Sequence, residues 1–357
     1  MLKRRSTFAI RAVGGRDSAR AGPPGPPLNN GEMENTGMKR ITNVSTCALI
    51  AFAGMIAHAQ LLGTDGISAA TIGPGLWVST ASNEDVGPSI PNPNGISLEA
   101  NDDTVVQLGV GPLGGTGVSV NTLLARFEGP NAGFPGGDLT GFHISSNGDF
   151  LMSYDDVSGG AYTIGDNTIA TGSLIRFNAL TGAASTVLDA GALGTRVDAV
   201  TQAANGDILF STRTAGTIDA ALSSTGASFA IDDGDILSLD SATGLISRIV
   251  SESEIFTAAG AEVAGMHLLD DNTLILTSNR DDTYIGLDGT VLEEAAILYD
   301  LTTRSATGIF FDGRDAFLGS HDLDAIFFSS SSITVPAPGA SALLAAAVAS
   351  LGQRRRR

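Results

Sequence analysis

The chain is predicted to be all-β, a β-propeller of four or five blades, on three observations. Apolar alternations of four to six residues, bounded by Gly, Asn, Asp and Ser, fill the stretch from Gln60 to Ile333. A turn-plus-strand unit recurs along it. Asn147-Gly148-Asp149-Phe150-Leu151-Met152-Ser153 returns as Asn205-Gly206-Asp207-Ile208-Leu209-Phe210-Ser211, then as Asp271-Asn272-Thr273-Leu274-Ile275-Leu276-Thr277, and more faintly as Ala325-Ile326-Phe327-Phe328-Ser329. A second unit keeps phase with the first. Leu174-Ile175-Arg176-Phe177, Ile236-Leu237-Ser238-Leu239 and Ile297-Leu298-Tyr299-Asp300 start 62 and 61 residues apart, each followed by a Thr-containing turn. One period holds four strands, and a four-stranded sheet that cannot cover both of its faces alone is stabilised by stacking around an axis. A β-sandwich or an irregular β-repeat built from the same hairpins is the alternative.

The elements follow in chain order. Residues 1–37 are rich in Arg, Gly and Pro and lack an apolar run, so they read as a disordered extension ahead of a misassigned start. Residues 38–59 have the layout of a signal peptide: Met38-Lys39-Arg40, an apolar run from Ala48 to Ala57, and Ala57-His58-Ala59 as a small-x-small cleavage site before Gln60. The single cysteine, Cys47, falls inside this leader, so the body at 60–333 has no thiol for a disulfide or a metal.

Within the body, four repeat copies span roughly 104–155, 172–213, 234–280 and 295–330, which puts about four blades in the ring. Leu76-Trp77-Val78-Ser79-Thr80 resembles the repeated strand but stands apart at the N-terminal end, where it is expected to close the ring by pairing with another blade. The Asn-Gly and Asp-Asn pairs are expected to make two-residue hairpin turns at positive φ. The insert from Thr214 to Ala230 is expected on one rim.

Charge narrows the partners. Between Gln60 and Gln353, eight arginines and no lysine face 35 acidic residues. A body this acidic has no positive surface to displace phosphate counterions, so nucleic acid is excluded as a partner.

The segment 334–357 contains Val335-Pro336-Ala337-Pro338-Gly339, an alanine-rich apolar stretch, and Arg354, Arg355, Arg356 and Arg357. At 1.5 Å per residue its apolar part makes a helix of about 22 Å, short of the roughly 30 Å of a bilayer core. The arginines would stay on the cytoplasmic side. This tail resembles a PEP-CTERM sorting signal, with Ala337 in place of the usual glutamate, as in the Pro-Ala-Pro-Gly variant. The resemblance implies an exosortase-like processing enzyme as partner, a transient inner-membrane tether, and delivery to the cell surface or beyond. The body is similar to propeller-like domains that precede such tails, on Val197-Asp198-Ala199, Phe311-Asp312-Gly313-Arg314-Asp315 and Asp322-Leu323-Asp324-Ala325. That similarity brings no chemistry.

Candidate ligands come from the repeat columns. His143 and His267 share one column, with Thr201 and Phe327 in the other copies; if that column lines a central channel, the two imidazoles meet and could hold a metal. Asp198 and Asp324 share another column, with Thr140 and Ala264 in the other copies. Together with Asp232, Asp233, Asp235, Glu293 and Glu294 they are candidate oxygen ligands for calcium, although no EF-hand loop is present and no cofactor is required. A nucleophile elbow, a phosphate loop and a dinucleotide fingerprint are all missing. The expected function is a non-enzymatic surface or matrix module that binds polysaccharide or another surface protein. The alternative is a secreted metal-dependent hydrolase or lactonase on a propeller scaffold.

Overall fold

A computed structural model describes residues 74–80, 84–85, 99–100, 104–112, 118–128, 137–155, 160–164, 166–178, 181, 183–315 and 323–331. The expected leader with Ala57, Ala59 and Gln60, the tail with its short helix, Val335 to Gly339 and Arg354 to Arg357, all lie outside these residues. Among the described residues, no helix is long and apolar enough to cross a membrane.

The described strands are β1 (Gly75–Thr80), β2 (Glu84–Asp85), β3 (Glu99–Ala100), β4 (Thr104–Pro112), β5 (Val118–Glu128), β6 (Asp138–Ile144), β7 (Phe150–Asp155), β8 (Ala161–Ile164), β9 (Asn167–Ala170), β10 (Leu174–Asn178) and β11 (Ala183–Leu188). The second half holds β12 (Val197–Gln202), β13 (Ile208–Thr212), β14 (Gly216–Ile218), β15 (Phe229–Ile231), β16 (Ile236–Leu239), β17 (Ile246–Val250), β18 (Val263–Asp270), β19 (Thr273–Ser278), β20 (Ala295–Asp300), β21 (Ser305–Asp312) and β22 (Leu323–Ser329). They form four antiparallel four-stranded sheets, in the orders β6-β7-β10-β11, β12-β13-β16-β17, β18-β19-β20-β21 and β22-β1-β4-β5. These are blades 1 to 4 of a propeller. The innermost strands pack side by side in a closed ring, β6 to β12 to β18 to β22 and back to β6. Blades 1 and 3 therefore face each other across the axis, as do blades 2 and 4.

The ring closes through β1, whose Trp77 sits opposite Phe327 of β22. One blade thus joins both ends of the described chain, as expected for the lone strand at Leu76–Thr80. The repeat length read from the sequence is right, but its phase is shifted by two strands. The copy at 172–213 joins the outer strands of blade 1 to the inner strands of blade 2, because the turn residues that mark a copy are as dense within blades as between them.

The turns differ from the expected hairpins as well. After β6, the connection spans Ser145 to Asp149, where Ser145 N–H donates to the Asp149 carbonyl at 2.8 Å. Only the glycine takes positive φ, at 83° for Gly148 and 94° for Gly206. The asparagine works through its side chain: Asn147 Oδ1 accepts from Asp149 N–H at 3.0 Å, and Asn205 Oδ1 from Asp207 N–H at 3.0 Å. Between β7 and β10 and between β13 and β16, the chain inserts the small hairpins β8-β9 and β14-β15. These inserts follow the outward end of the second strand, so they share one rim, as expected for the 214–230 stretch.

Burial shows why the repeated strands are apolar throughout. Every residue of β7 and of β13 is buried, because each second strand is covered by a neighbouring blade on both faces. The core consists of four clusters, one per blade interface. Trp77, Phe142 and Phe327 sit between blades 4 and 1; Val200, Phe210 and Leu151 between 1 and 2; Met266, Tyr299 and Ala199 between 2 and 3; Leu76, Ile275 and Phe311 between 3 and 4. Burying each Val, Leu, Ile, Phe or Met side chain among them is worth roughly 1.5–3 kcal/mol.

One polar contact recurs in all four interfaces. A fully buried hydroxyl on the second strand donates to the carbonyl that opens the next blade: Ser153 to Val197, Ser211 to Val263 and Thr277 to Leu323, each at 2.7 Å, and Ser79 to Leu139 at 3.2 Å. The Ser or Thr that ends each repeated strand is therefore an inter-blade latch. It satisfies a carbonyl that a neighbouring bulge removes from the ladder.

Candidate functional site

That bulge builds both ends of the channel. In every inner strand the pairing skips one residue: Thr140 in β6, the Asp198–Ala199 step in β12, Ala264 in β18 and Asp324 in β22. A bulge inserts an extra residue and re-aims its side chain. The column of Asp198 and Asp324 is thereby turned inward at one mouth, while the column of His143 and His267 lies three residues further along, toward the other. The following column is small in all four blades: Gly141, Ala199, Gly265 and Ala325. A Cβ on Gly141 would lie 2.6 Å from the Asp198 carbonyl oxygen, so glycine there lets β6 and β12 approach closely.

At the histidine mouth, the two imidazoles meet across the axis, as the shared column suggested. Their ring centroids are 6.0 Å apart and their planes are inclined by 27°. Phe327 from blade 4 meets both edge-on, at 5.1 Å from His143 and 4.9 Å from His267. Thr201 from blade 2 completes the layer: its Oγ1 lies 3.3 Å from His143 Nδ1 and accepts from Leu268 N–H at 3.0 Å. Burial, reinforced by the neighbouring His267 and Arg176, holds His143 well below the usual imidazole range. Burial likewise pulls His267 down to about 3, partly offset by its hydrogen bond to the Phe328 backbone. Both rings are neutral at physiological pH. They floor a cavity of about 560 Å³ whose walls include Arg176, Gln202 and Asp271.

The opposite mouth is ionic. Asp198 is 1% exposed, and the guanidinium of Arg213 lies 3.4 Å from it, 3.4 Å from Glu262, 3.8 Å from Asp138 and 3.9 Å from Asp155. Burial, with the facing Glu262 carboxyl next, pushes Asp198 well up; burial also raises Glu262. Two carboxyls in contact cannot both ionise cheaply, so they share a proton. Asp198 Oδ2 has no N–H or O–H donor, which is where that proton belongs. Asp324, on the facing blade, adds to the same field. The carboxylates in turn raise Arg213 beyond its ordinary value despite its partial burial.

The four residues read from the columns thus divide between two mouths: His143 and His267 are in ring contact at one, and at the other Asp198 meets Glu262 while Asp324 acts on it through its charge. Among the described residues, no three His, Cys, Asp or Glu side chains are arranged to hold a metal ion. Two of the wider acidic set are held by structural contacts: Asp235 pairs with Arg248 at 2.9 Å and accepts from the Asp232 and Glu252 N–H groups, while Glu294 lies 3.6 Å from Arg314. Sequence reasoning missed Arg213, Glu262 and Arg176. A signal was present for Glu262, because the residue just before each inner strand's first apolar position is charged in every copy, Asp138, Arg196, Glu262 and Asp322, whereas Arg213 follows β13 and lies outside that column. Arg176 carried none beyond being a cation in an otherwise apolar strand.

No family model matches the chain, and no curated protein matches it. Solved structures of similar chain course include a protein of unknown function from Bacteroides caccae, 11% identical over 71% of this chain and 98% of that one, with a TM-score of 0.34. A chain of the nidogen/laminin complex is 9% identical over 74% of this chain and 99% of its own, with a TM-score of 0.32. The Neurospora crassa Pan2 WD40 domain is 12% identical over 68% and 72%, with a TM-score of 0.29. The fold rests on the strand pairing itself, not on these matches.

Proposed function

We propose that this chain is an exported β-propeller that binds a surface or matrix component at the histidine mouth of its channel and does no covalent chemistry. The observation that carries this reading is the pocket of about 560 Å³ floored by His143, His267 and Phe327, a size suited to a small molecule or one unit of a polymer. The leader ending at Ala59 and the tail from Val335 to Arg357 support export, sorting by an exosortase-type enzyme and display at the cell surface. The hydrolase alternative needs a central cation among carboxylates. At the carboxylate mouth the chain supplies that positive charge itself, through Arg213.

Two measurements test the reading. Cell fractionation with an internal epitope tag is expected to find the protein, shortened at both ends, at the cell surface or in the medium; a full-length cytoplasmic chain would refute export. The processed protein is then expected to bind extracellular polysaccharide from the producing cells in a co-sedimentation assay. Turnover of a lactone panel would favour the alternative.

A further inference from the structure

Arg176 breaks the electrostatic pattern of the molecule. Of the seven arginines with described side chains, six have a carboxylate oxygen within 4 Å: Arg196, Arg213, Arg248, Arg280, Arg304 and Arg314. Arg176 has none among the described residues, in a body where 35 acidic residues surround eight arginines. It is partly buried and stands in the wall of the histidine pocket. A second unsatisfied group faces the same space. His267 is 6% exposed, lines the pocket, and has no partner at Nδ1.

The protons on these groups say what they want. The Phe328 backbone beside His267 favours the protonated form of the ring, and with Nδ1 lacking a partner the proton of the neutral ring is assigned to Nε2. In a neutral imidazole the remaining nitrogen, Nδ1, is then an acceptor. Across the mouth from Arg176, on the opposing blade, Asp270 and Asp271 add carboxylate acceptors to the rim. Gln202 offers little, because its amide already bonds Ser145 and Gly206. The pocket thus presents a cation without a carboxylate among the described residues, an unfilled acceptor at His267 Nδ1, and further carboxylate acceptors at the Asp270–Asp271 rim, where Asp270 Oδ1 already takes the Asn272 N–H. A carboxylate alone would meet Arg176 but leave the acceptors empty, and a neutral sugar would do the reverse.

We propose that the pocket binds a hydroxylated carboxylic acid of sugar size, a uronic acid unit, with its carboxylate on Arg176 and its hydroxyls donating to His267 Nδ1 and the Asp270–Asp271 rim. The guanidinium fork matches a carboxylate with two parallel hydrogen bonds. The edges of Phe327 and the stacked imidazoles give the sugar ring an apolar floor. This identification rests on the binding function proposed above and names the ligand class of that site.

Isothermal titration of the processed protein with galacturonate, galactose and inorganic phosphate tests it. Galacturonate is expected to bind at least tenfold more tightly than galactose, which lacks only the carboxylate, and than phosphate, which lacks the ring hydroxyls. Arg176→Gln is expected to erase the preference over galactose, while Arg176→Lys keeps part of it. His267→Gln is expected to weaken galacturonate without changing its rank over galactose. Unchanged thermal unfolding midpoints in these variants exclude misfolding as the cause. Equal binding of galactose and galacturonate, equal binding of phosphate, or a galacturonate affinity untouched by Arg176→Gln would overturn the proposal. If the protein still sediments with polysaccharide in any of these outcomes, the ligand class fails and the binding function stands.

Discussion

The two mouths of the channel are built from the same four strands and the same bulge, yet they bury opposite kinds of group. At one mouth two histidines from blades 1 and 3 are forced neutral by burial; at the other, two carboxyls share a proton beside an arginine. The ring alternates accordingly. Blades 1 and 3 carry Gly141 and Gly265 with His143 and His267, and blades 2 and 4 carry Ala199 and Ala325 with Asp198 and Asp324. Fourfold geometry gives the scaffold, and twofold alternation of residues gives each mouth its chemistry. The ionic mouth is held by its own charges and serves stability. The histidine mouth keeps a cation without a carboxylate among the described residues and an empty acceptor, and that asymmetry is why the proposed binding is assigned to it.

The largest effect expected from breaking this comparison comes at the ionic mouth. Arg213→Ala leaves Asp198 and Glu262 buried without their cation and is expected to cost about 3 kcal/mol at pH 7, measured by urea unfolding. The cost should shrink at pH 4, where the carboxyls hold their protons. A loss below about 1 kcal/mol, or the same loss at both pH values, would detach Arg213 from the pair.

The two mouths should also respond to acid with opposite sign. The folded-state pKa of each histidine is depressed, so its contribution is present above the unfolded value near 6.5 and is lost as pH falls below it, for His267 down to about 3. At pH 5 that amounts to about 2 kcal/mol for His267. The carboxyl pair is raised, so its contribution is complete below the unfolded carboxyl value near 4 and is lost as pH rises through the folded one. His267→Gln is expected to flatten the fall in stability between pH 7 and pH 5, and Asp198→Asn to flatten the loss at higher pH. Identical pH profiles in the two variants would remove the contrast.

How much of this was legible in the sequence follows from which features repeat. The blade length, the closing strand at Leu76–Thr80 and the shared columns were readable because they recur in register. The phase of the blades was not, since a turn between blades and a turn within one use the same Gly, Asn and Asp. The meeting of His143 and His267 depended on ring closure, and a column alone does not say whether its members converge. Arg213 and Glu262 lie just outside the repeated strands, so their partnership exists only after the bulge turns Asp198 inward.

Two smaller effects separate the shared scaffold from the mouths. Ser211→Ala removes a latch and strands the Val263 carbonyl, at a cost of about 1–2 kcal/mol, read as a lower unfolding midpoint with both pH branches intact. A changed pH profile would show that latch and mouth are coupled. Asn205→Ala deletes an exposed turn contact and is expected to cost about 0.5 kcal/mol. A cost several times larger would mean that the turn also supports the rim of the histidine pocket.

The central claim is that four blades close a ring and bring opposing columns into contact. The most direct test is a proton NMR search for a nuclear Overhauser effect between the imidazole rings of His143 and His267. Only three histidines lie beyond Gln60, so assignment needs no more than His143→Gln and His267→Gln. The closed ring predicts a clear cross-peak between residues on opposite blades, with ring centroids 6.0 Å apart, that either variant abolishes. Well-resolved imidazole signals from a folded protein with no such cross-peak would contradict the arrangement.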